Sequence, residues 1–419
     1  MPPLSYHKGA KALLRWVTFD GFNLAQLRSN GPERGSSAAP THGAQLGRKT
    51  IMKRIALAAL LTTATATSAL AGGIDRSGQF LGPLFEKGGE TGSYFQFGIS
   101  SVEPSVGVAA GPVAGSDPLD TYVPWSAAIK LDVTDKLSFA IIGDQPFGAN
   151  VNYNDAPIRL AGVPFTPGAN ITSQGWTGVL RYKVTENWSA HGGLRAQKIV
   201  GSVNTYRGTD FMRLDANSGF DLGGLVGVAY ERPDIAMRVA LTYNSEIDQG
   251  LSGSESIDDL TGVNPATSDT KSFTVTTPAS LNLEFQTGVA ANTLLFGSVR
   301  YVEWKGVNLT TDEHEYVNFE ENSTTYSLGL GRRFSDSWSG AVTLGFEPEG
   351  NFISNSALAP TTGSQSIGLA ATYTQGNTTV TTGVTYAKLG ERKFDFGSTD
   401  IDFTDGEAIG VGVRLGINF

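Results

Sequence analysis

The 419-residue chain contains no cysteine and only four histidines. Without cysteine the protein has no disulfide bond, no thiol nucleophile and no thiolate ligand for a metal. In the part that we expect to fold, the histidines are His191 and His314, which have neither zinc-ligand spacing nor a Gly-x-Ser-x-Gly motif beside them. These absences predict a protein that is not an enzyme and that has no metal and no cofactor.

Long apolar runs and charged residues are also scarce. No stretch reaches the roughly twenty consecutive apolar residues that a transmembrane helix needs. Charged residues make up 17% of the chain, and the formal net charge of −9 argues against nucleic acid as a partner. Glycine, by contrast, is abundant at 52 residues. This composition is compatible with an exported all-β protein.

A secretory signal is predicted at residues 52–71. Lys53 and Arg54 precede a short apolar run, and Ala69-Leu70-Ala71 supplies a small-x-small cleavage site. Residues 1–51 lie upstream of this complete signal, so we interpret them as a disordered or misassigned extension and exclude them from the fold. The rest of the chain is therefore expected to be exported without a helical anchor.

The last eleven residues, 409–419, show unbroken alternation between apolar and small or polar side chains. A period of two places the apolar set on one face of a strand, and eleven residues are about the length of a tilted strand that crosses a bilayer. Ending on Phe419 resembles the signature of outer-membrane β-barrels. The alternative is the last strand of a soluble sandwich. The apolar set is Ile409, Val411, Val413, Leu415, Ile417 and Phe419.

Turn residues divide the chain after the signal into regular intervals. Short connections are predicted at 134–136, 185–187, 232–234, 291–292, 335–337 and 375–377. Longer irregular segments fall at 104–123, 146–170, 205–215, 248–269, 306–319, 348–361 and 392–405. Strict alternation of short and long connections predicts an all-β, 14-stranded antiparallel transmembrane β-barrel over residues 93–419.

Aromatic girdles are expected at the two membrane interfaces, from Tyr182, Trp188, Phe334 and Trp338 at the short turns and from Trp125, Trp176 and Trp304 at the opposite ends.

Residues 72–92 precede the first strand and are rich in glycine. They carry an apolar patch of Phe80, Leu81, Leu84 and Phe85. We expect this segment to fold into the barrel as a short N-terminal plug. The alternative is a floppy periplasmic tail.

At this point the chain resembles the outer-membrane long-chain fatty acid transporter family, whose members also take up hydrocarbons such as toluene. The likeness rests on fourteen predicted strands that follow an N-terminal plug and on residues 277–283, which open a strand. It also rests on Trp304, which closes the next strand, and on the Asp-Gln-Pro-Phe-Gly run at 144–148. Unlike well-known members, the plug lacks an Asn-Pro-Ala triplet; the only one, at 264–266, is expected in an outer loop.

The resemblance implies passive, facilitated diffusion of a hydrophobic small molecule, such as a fatty acid, across the outer membrane of a Gram-negative cell. Its partners would then be outer-membrane lipid, lipopolysaccharide and the barrel assembly machinery. The family releases its ligand through a gap beside a kinked third strand. Gly143, Pro146 and Gly148 are the candidates for such a gap, although Pro146 could simply mark the end of the strand.

Inward-facing side chains supply the candidates for ligand binding. A fatty-acid carboxylate needs a cation or several donors once it leaves water, which points to Arg195, Arg300 and His191. The alternative is that inward arginines pair with Asp132, Glu231 or Glu284. Apolar candidates for the acyl chain are Ile142, Val179, Leu225 and Phe296, and Arg414 is expected to anchor the plug.

The predicted outer loops are acidic, which we interpret as a solvated anionic rim, with specific calcium binding as a weaker alternative. Two other functions stay open at this stage. One is a structural or adhesion barrel that acts through its loops, and the other is a general porin for polar solutes.

Overall fold

The computed structural model describes residues 74–419 except 111–112, 155–157, 161–162, 208–209, 260–266, 312–313, 352, 354–355 and 397–398. The predicted extension at 1–51 and the signal at 52–71 lie outside the described residues, as does the triplet at 264–266. Within the described part of the chain, no helix is long and apolar enough to cross a membrane.

The fold is a closed barrel of fourteen antiparallel strands, as predicted. Several strands have a break and consist of two pieces. Their bounds are β1 Ser93–Ala110, β2 Trp125–Asp132, β3 Leu137–Asp144 and Gly148–Asn152, β4 Gly168–Lys183, β5 Trp188–Arg207, β6 Asp210–Ser218 and Asp221–Arg232, β7 Met237–Asn244 and Ile247–Asp259, β8 Thr267–Thr277 and Ser280–Ala290, β9 Thr293–Val302, β10 Ser323–Arg333, β11 Trp338–Glu347, β12 Thr362–Gln375, β13 Thr378–Gly390 and Arg392–Phe396, and β14 Thr399–Asn418.

The barrel closes where β14 pairs with β1. Phe97 lies opposite Leu415, and Ile99 lies opposite Val413. The predicted apolar side chains of β14 face outward and are exposed at Ile409 and Val411, whereas Arg414 is buried on the inner face. Closure pairs the backbone of the first and last strands, which a sheet in lipid requires.

The six short connections lie where they were predicted, but three of the long ones were placed wrongly. Residues 205–215, 248–269 and 392–405 lie largely within β5, β6, β7, β8, β13 and β14. The outer ends of these strands carry Ser, Thr, Asp and Gly, and both faces of Thr267–Thr277 are largely exposed or half-exposed. A strand that extends beyond the bilayer needs no apolar outer face, so the alternation that reveals a strand is missing there.

Outward-facing aromatic side chains lie beside the short turns, where Tyr182, Trp188, Phe334 and Trp338 are more than half exposed. Trp304 was expected in the opposite girdle, and this prediction is wrong. Its ring is buried beneath the loops, stacked on Phe319 at 4.6 Å and edge-on to Phe147 at 5.5 Å. The chain turns inward directly after β9 ends at Val302, which takes the indole away from lipid.

Candidate functional site

Residues 74–92, which precede β1, lie inside the barrel. We call them the inner segment, and they form the plug. Its 3₁₀ turn, Gly82–Phe85, has Pro83 as its second residue, and Leu81 and Leu84 are fully buried. These two leucines pack against inward-facing side chains of β2, β3, β4 and β6, namely Ala128, Ala140, Ile142, Val179 and Leu225. Three of the four predicted apolar candidates therefore contact the segment itself.

Phe85 lies in the part of this segment that is near the short turns of the barrel. The guanidinium groups of Arg181 and Arg238 lie over its ring, each at 4.6 Å from the centroid, and His191 meets it edge-on at 5.8 Å. Cations over an aromatic ring are attracted to its negative face. His191 also forms a hydrogen bond to Thr242, with 2.9 Å between Nε2 and Oγ1.

The neighbouring Glu86 lies among positive charges. Burial raises the pKa of its carboxyl group, whereas Arg238, Arg414 and Lys130 act in the opposite direction. Arg414 is thus one of the cations that attract this segment, in the place where an anchor was expected.

The other end of the segment is hydrogen-bonded to the wall of the barrel. The Arg76 amide donates to the carbonyl of Pro146 at 2.8 Å, and the Gly148 amide donates to the carbonyl of Ile74 at 2.9 Å. Ser77 donates its hydroxyl to a carboxylate oxygen of Asp144 at 2.7 Å. The backbone therefore joins the segment to the third strand at the Asp-Gln-Pro-Phe-Gly run.

This run is an internal break in β3. The strand pairs with β4 up to Asp144 and again from Gly148, so pairing with the same neighbour resumes after Pro146. Between these points, three residues of β3 lie opposite two residues of β4, as in a β-bulge. Pairing of β3 with β2 ends at Gly143, which lies opposite Ala127. Gln145 reaches across and accepts a hydrogen bond from the Trp125 amide at 3.2 Å.

Gly148 of the run, and Gly143 just before it, are in close contact with neighbouring side chains. A Cβ atom on Gly148 would lie 2.5 Å from the Arg76 guanidinium, and one on Gly143 would lie 2.7 Å from the Trp176 ring. Pro146 and Gly148 thus lie where the inner segment contacts the wall, and Gly143 lies next to the break.

Arg195 and Arg300 are both buried and each pairs with a carboxylate. Arg300 Nε lies 2.6 Å from Asp75 Oδ2, and Arg195 Nη2 lies 3.7 Å from Asp144 Oδ2. Arg300 also donates to Ser280 at 3.0 Å and to Asn282 at 2.9 Å. Their partners are thus Asp75 of the inner segment and Asp144 at the strand break, rather than the three acids considered in the sequence. Arg181 does pair with one of those acids, Glu231.

A cavity of about 190 Å³ lies between the inner segment and the opposite wall. Phe80, Ile142 and Phe296 supply apolar lining, and the charged side chains on the lining are Arg76, Asp144, Glu284, Arg300, Glu347 and Arg414. The wall on β10 to β14 carries small side chains, including Thr325, Ser327, Thr343, Gly345, Ser366, Gly368, Thr381, Gly383 and Thr385. The lumen is therefore divided into a side that the segment fills and a side that small residues keep open.

No protein-family model and no curated protein sequence matches the chain. Among solved structures, a FadL homologue of Pseudomonas aeruginosa is similar, with a TM-score of 0.66 and 12% identity over 81% of this chain and 92% of that one. The toluene transporter TodX of Pseudomonas putida has a TM-score of 0.62 and 12% identity over 84% of this chain and 98% of its own. The toluene transporter TbuX of Ralstonia pickettii has a TM-score of 0.55 and 12% identity over 80% and 91%.

The fold is that of the FadL and TodX barrels. At this level of identity the likeness concerns the fold alone. Reasoning from the sequence did not identify three carboxylates of this FadL-type barrel as part of the site: Asp75, Asp144 and Glu347. Asp75 and Asp144 could have been recognised as candidates, because each is a charged residue in an otherwise glycine-rich or apolar context. Among the described residues, no group of three His, Asp or Glu side chains is placed to hold a metal ion.

Proposed function

We propose that the protein is an outer-membrane channel for the passive uptake of small hydrophobic compounds. The observation that carries this proposal is the attachment of the inner segment to the break in β3 by the backbone hydrogen bonds at Pro146 and Gly148. A spanning barrel tolerates a break in pairing only where protein or a cavity covers it. Here the segment covers the break from inside, so its departure would open both the lumen and the wall.

Two features support a hydrophobic cargo over a polar one. The lumen contains a segment with buried leucines, which a general porin for polar solutes does not need, and the cavity has phenylalanines in its lining. The FadL-type fold adds support, because the toluene transporters TodX and TbuX have it. Export through the signal at 52–71 and assembly into the outer membrane belong to the same proposal.

The size and charge of the cavity favour a compact ligand. A cavity of about 190 Å³ is close to the roughly 150 Å³ apolar cavity that holds benzene in an engineered protein. Arg195 and Arg300, the candidates for a ligand carboxylate, already pair with protein carboxylates. Long-chain fatty acids are the second candidate, favoured by the sequence resemblance, and they would require a larger space and the release of one of these arginines.

Uptake by cells tests the proposal. A Gram-negative host without hydrophobic channels of its own would be compared with and without the gene, using labelled p-xylene, oleate and maltose at low micromolar concentration. We expect faster initial uptake of p-xylene and an unchanged rate for maltose. Faster uptake of oleate alone would favour the fatty-acid candidate. Faster uptake of maltose alone would identify a porin and contradict the proposal.

A further inference from the structure

Glu347 is a buried carboxylate without a partner on the lining of the cavity. It is the last residue of β11, its exposed fraction is 1%, and neither carboxylate oxygen has a hydrogen-bond partner in the part of the chain that the structure describes. A buried polar group without a hydrogen bond is costly, and a carboxylate is among the most costly. A group kept there at such a cost is suited to contacting a ligand.

The same cavity also offers an unused donor. Arg300 lines it, and its Nε and Nη1 atoms are occupied by Asp75, Ser280 and Asn282. Its Nη2 atom is buried and has no hydrogen-bond partner among the described residues. The cavity therefore presents the two acceptor oxygens of Glu347 on one wall and the N–H groups of Arg300 Nη2 on another.

We propose that the cavity selects small apolar molecules that carry a hydroxyl group, with phenols as the ligand class. A hydroxyl group both donates and accepts, so it can donate to Glu347 and accept from Arg300. A plain hydrocarbon of the same size leaves both groups unsatisfied. The aromatic ring would contact Phe80 and Phe296. This inference deepens the proposed function and rests on it.

A matched pair of probes tests the inference, because p-cresol and p-xylene differ only by a hydroxyl in place of a methyl group. The full chain would be expressed in the same host, and initial uptake of each probe would be measured above the rate of cells without the gene. We expect p-cresol to be taken up about tenfold faster than p-xylene, as a hydrogen bond to a charged group predicts. Glu347→Leu should bring this ratio close to one. Glu347→Gln should retain part of the preference, because an amide oxygen still accepts.

Glu349→Leu is the matched control, since Glu349 lies two residues further along the chain and is exposed. Heat-modifiable migration on gels would show that each variant forms a folded barrel. A wild-type ratio near one, or an unchanged ratio in Glu347→Leu, would overturn the inference while leaving uptake of hydrophobic compounds intact. If neither probe enters faster than in cells without the gene, the proposed function fails, and this inference fails with it.

Discussion

Asp75 and Arg300 form a buried salt bridge, 2.6 Å long, between the segment inside the barrel and strand β9. The two residues are 225 positions apart in the chain. Asp75 also forms an isolated β-bridge with Phe147, at the break in β3. Asp75 of the plug thus contacts the inner wall on one side and the interrupted strand on the other. The position of the plug and the closure of the wall at the break in β3 therefore depend on the same residue.

Loss of the Asp75 charge should release the plug. Asp75→Asn leaves Arg300 buried without a counter-ion, and removing one partner of a buried pair costs about 3–5 kcal/mol. We expect a lower unfolding temperature and faster entry of a polar chromogenic β-lactam into whole cells. Glu90→Gln, an exposed substitution in the same segment, is the control. Unchanged entry and unchanged stability in Asp75→Asn would contradict a latch at this position.

The aromatic ring of Phe85 should matter more than its apolar volume. Phe85→Leu keeps much of the buried surface but removes the ring that Arg181 and Arg238 cover, at about 0.5–1 kcal/mol for each cation. We expect a lower denaturant midpoint and easier proteolysis of residues 74–92. Phe80→Leu, at the cavity lining, is the comparison. Equal effects of the two substitutions would show that the cations add nothing.

Filling the open side of the lumen should block the channel without unfolding it. Thr343 of β11 lines the cavity, and its neighbour Val342 faces outward. Thr343→Phe places an aromatic ring in the space that we assign to the ligand. Uptake of p-xylene should therefore fall about tenfold, which is the order of magnitude expected when a ligand loses apolar contacts in a pocket. Val342→Phe should leave the rate unchanged, because it adds an apolar side chain to a lipid-facing position. An equal loss of p-xylene uptake in both variants would contradict the placement of the cavity.

The barrel itself could be predicted from the sequence because lipid acts on each spanning strand locally. Residues 409–419 alternate since every second side chain meets lipid, and that pattern needs no knowledge of the partner strand. The outer ends of the strands, such as Thr267–Thr277, could not be recognised, because water surrounds them and removes the alternation. Trp304 was misplaced for a related reason: an aromatic residue near a strand end is expected at an interface, but here it packs beneath loops.

The site was predictable only in part. The inward direction of Arg195, Arg300 and Phe296 followed from the period of two. Their partners did not, since Asp75 and Asp144 meet the arginines through long-range placement of the plug. Glu347 was also missed, because the run Phe-Glu-Pro-Glu-Gly at residues 346–350 reads as the start of a loop. The strand in fact continues to this glutamate and turns it inward.

The central claim is that hydrophobic compounds pass the barrel when the plug leaves the break in β3. The absence of native cysteine allows a clean test, with Asp75→Cys and Phe147→Cys combined in one chain. Partners in an antiparallel β-bridge have Cα atoms about 4.5–5.5 Å apart, within the range of a disulfide bond. Each single variant serves as a control that cannot form the crosslink.

The decisive measurement is the initial uptake of labelled p-xylene by cells that carry the double variant, before and after reduction. The account predicts uptake at the level of cells without the gene in the oxidised state, and recovery to the rate of the single variants once the disulfide is reduced. Equal uptake in the oxidised and reduced states would contradict it.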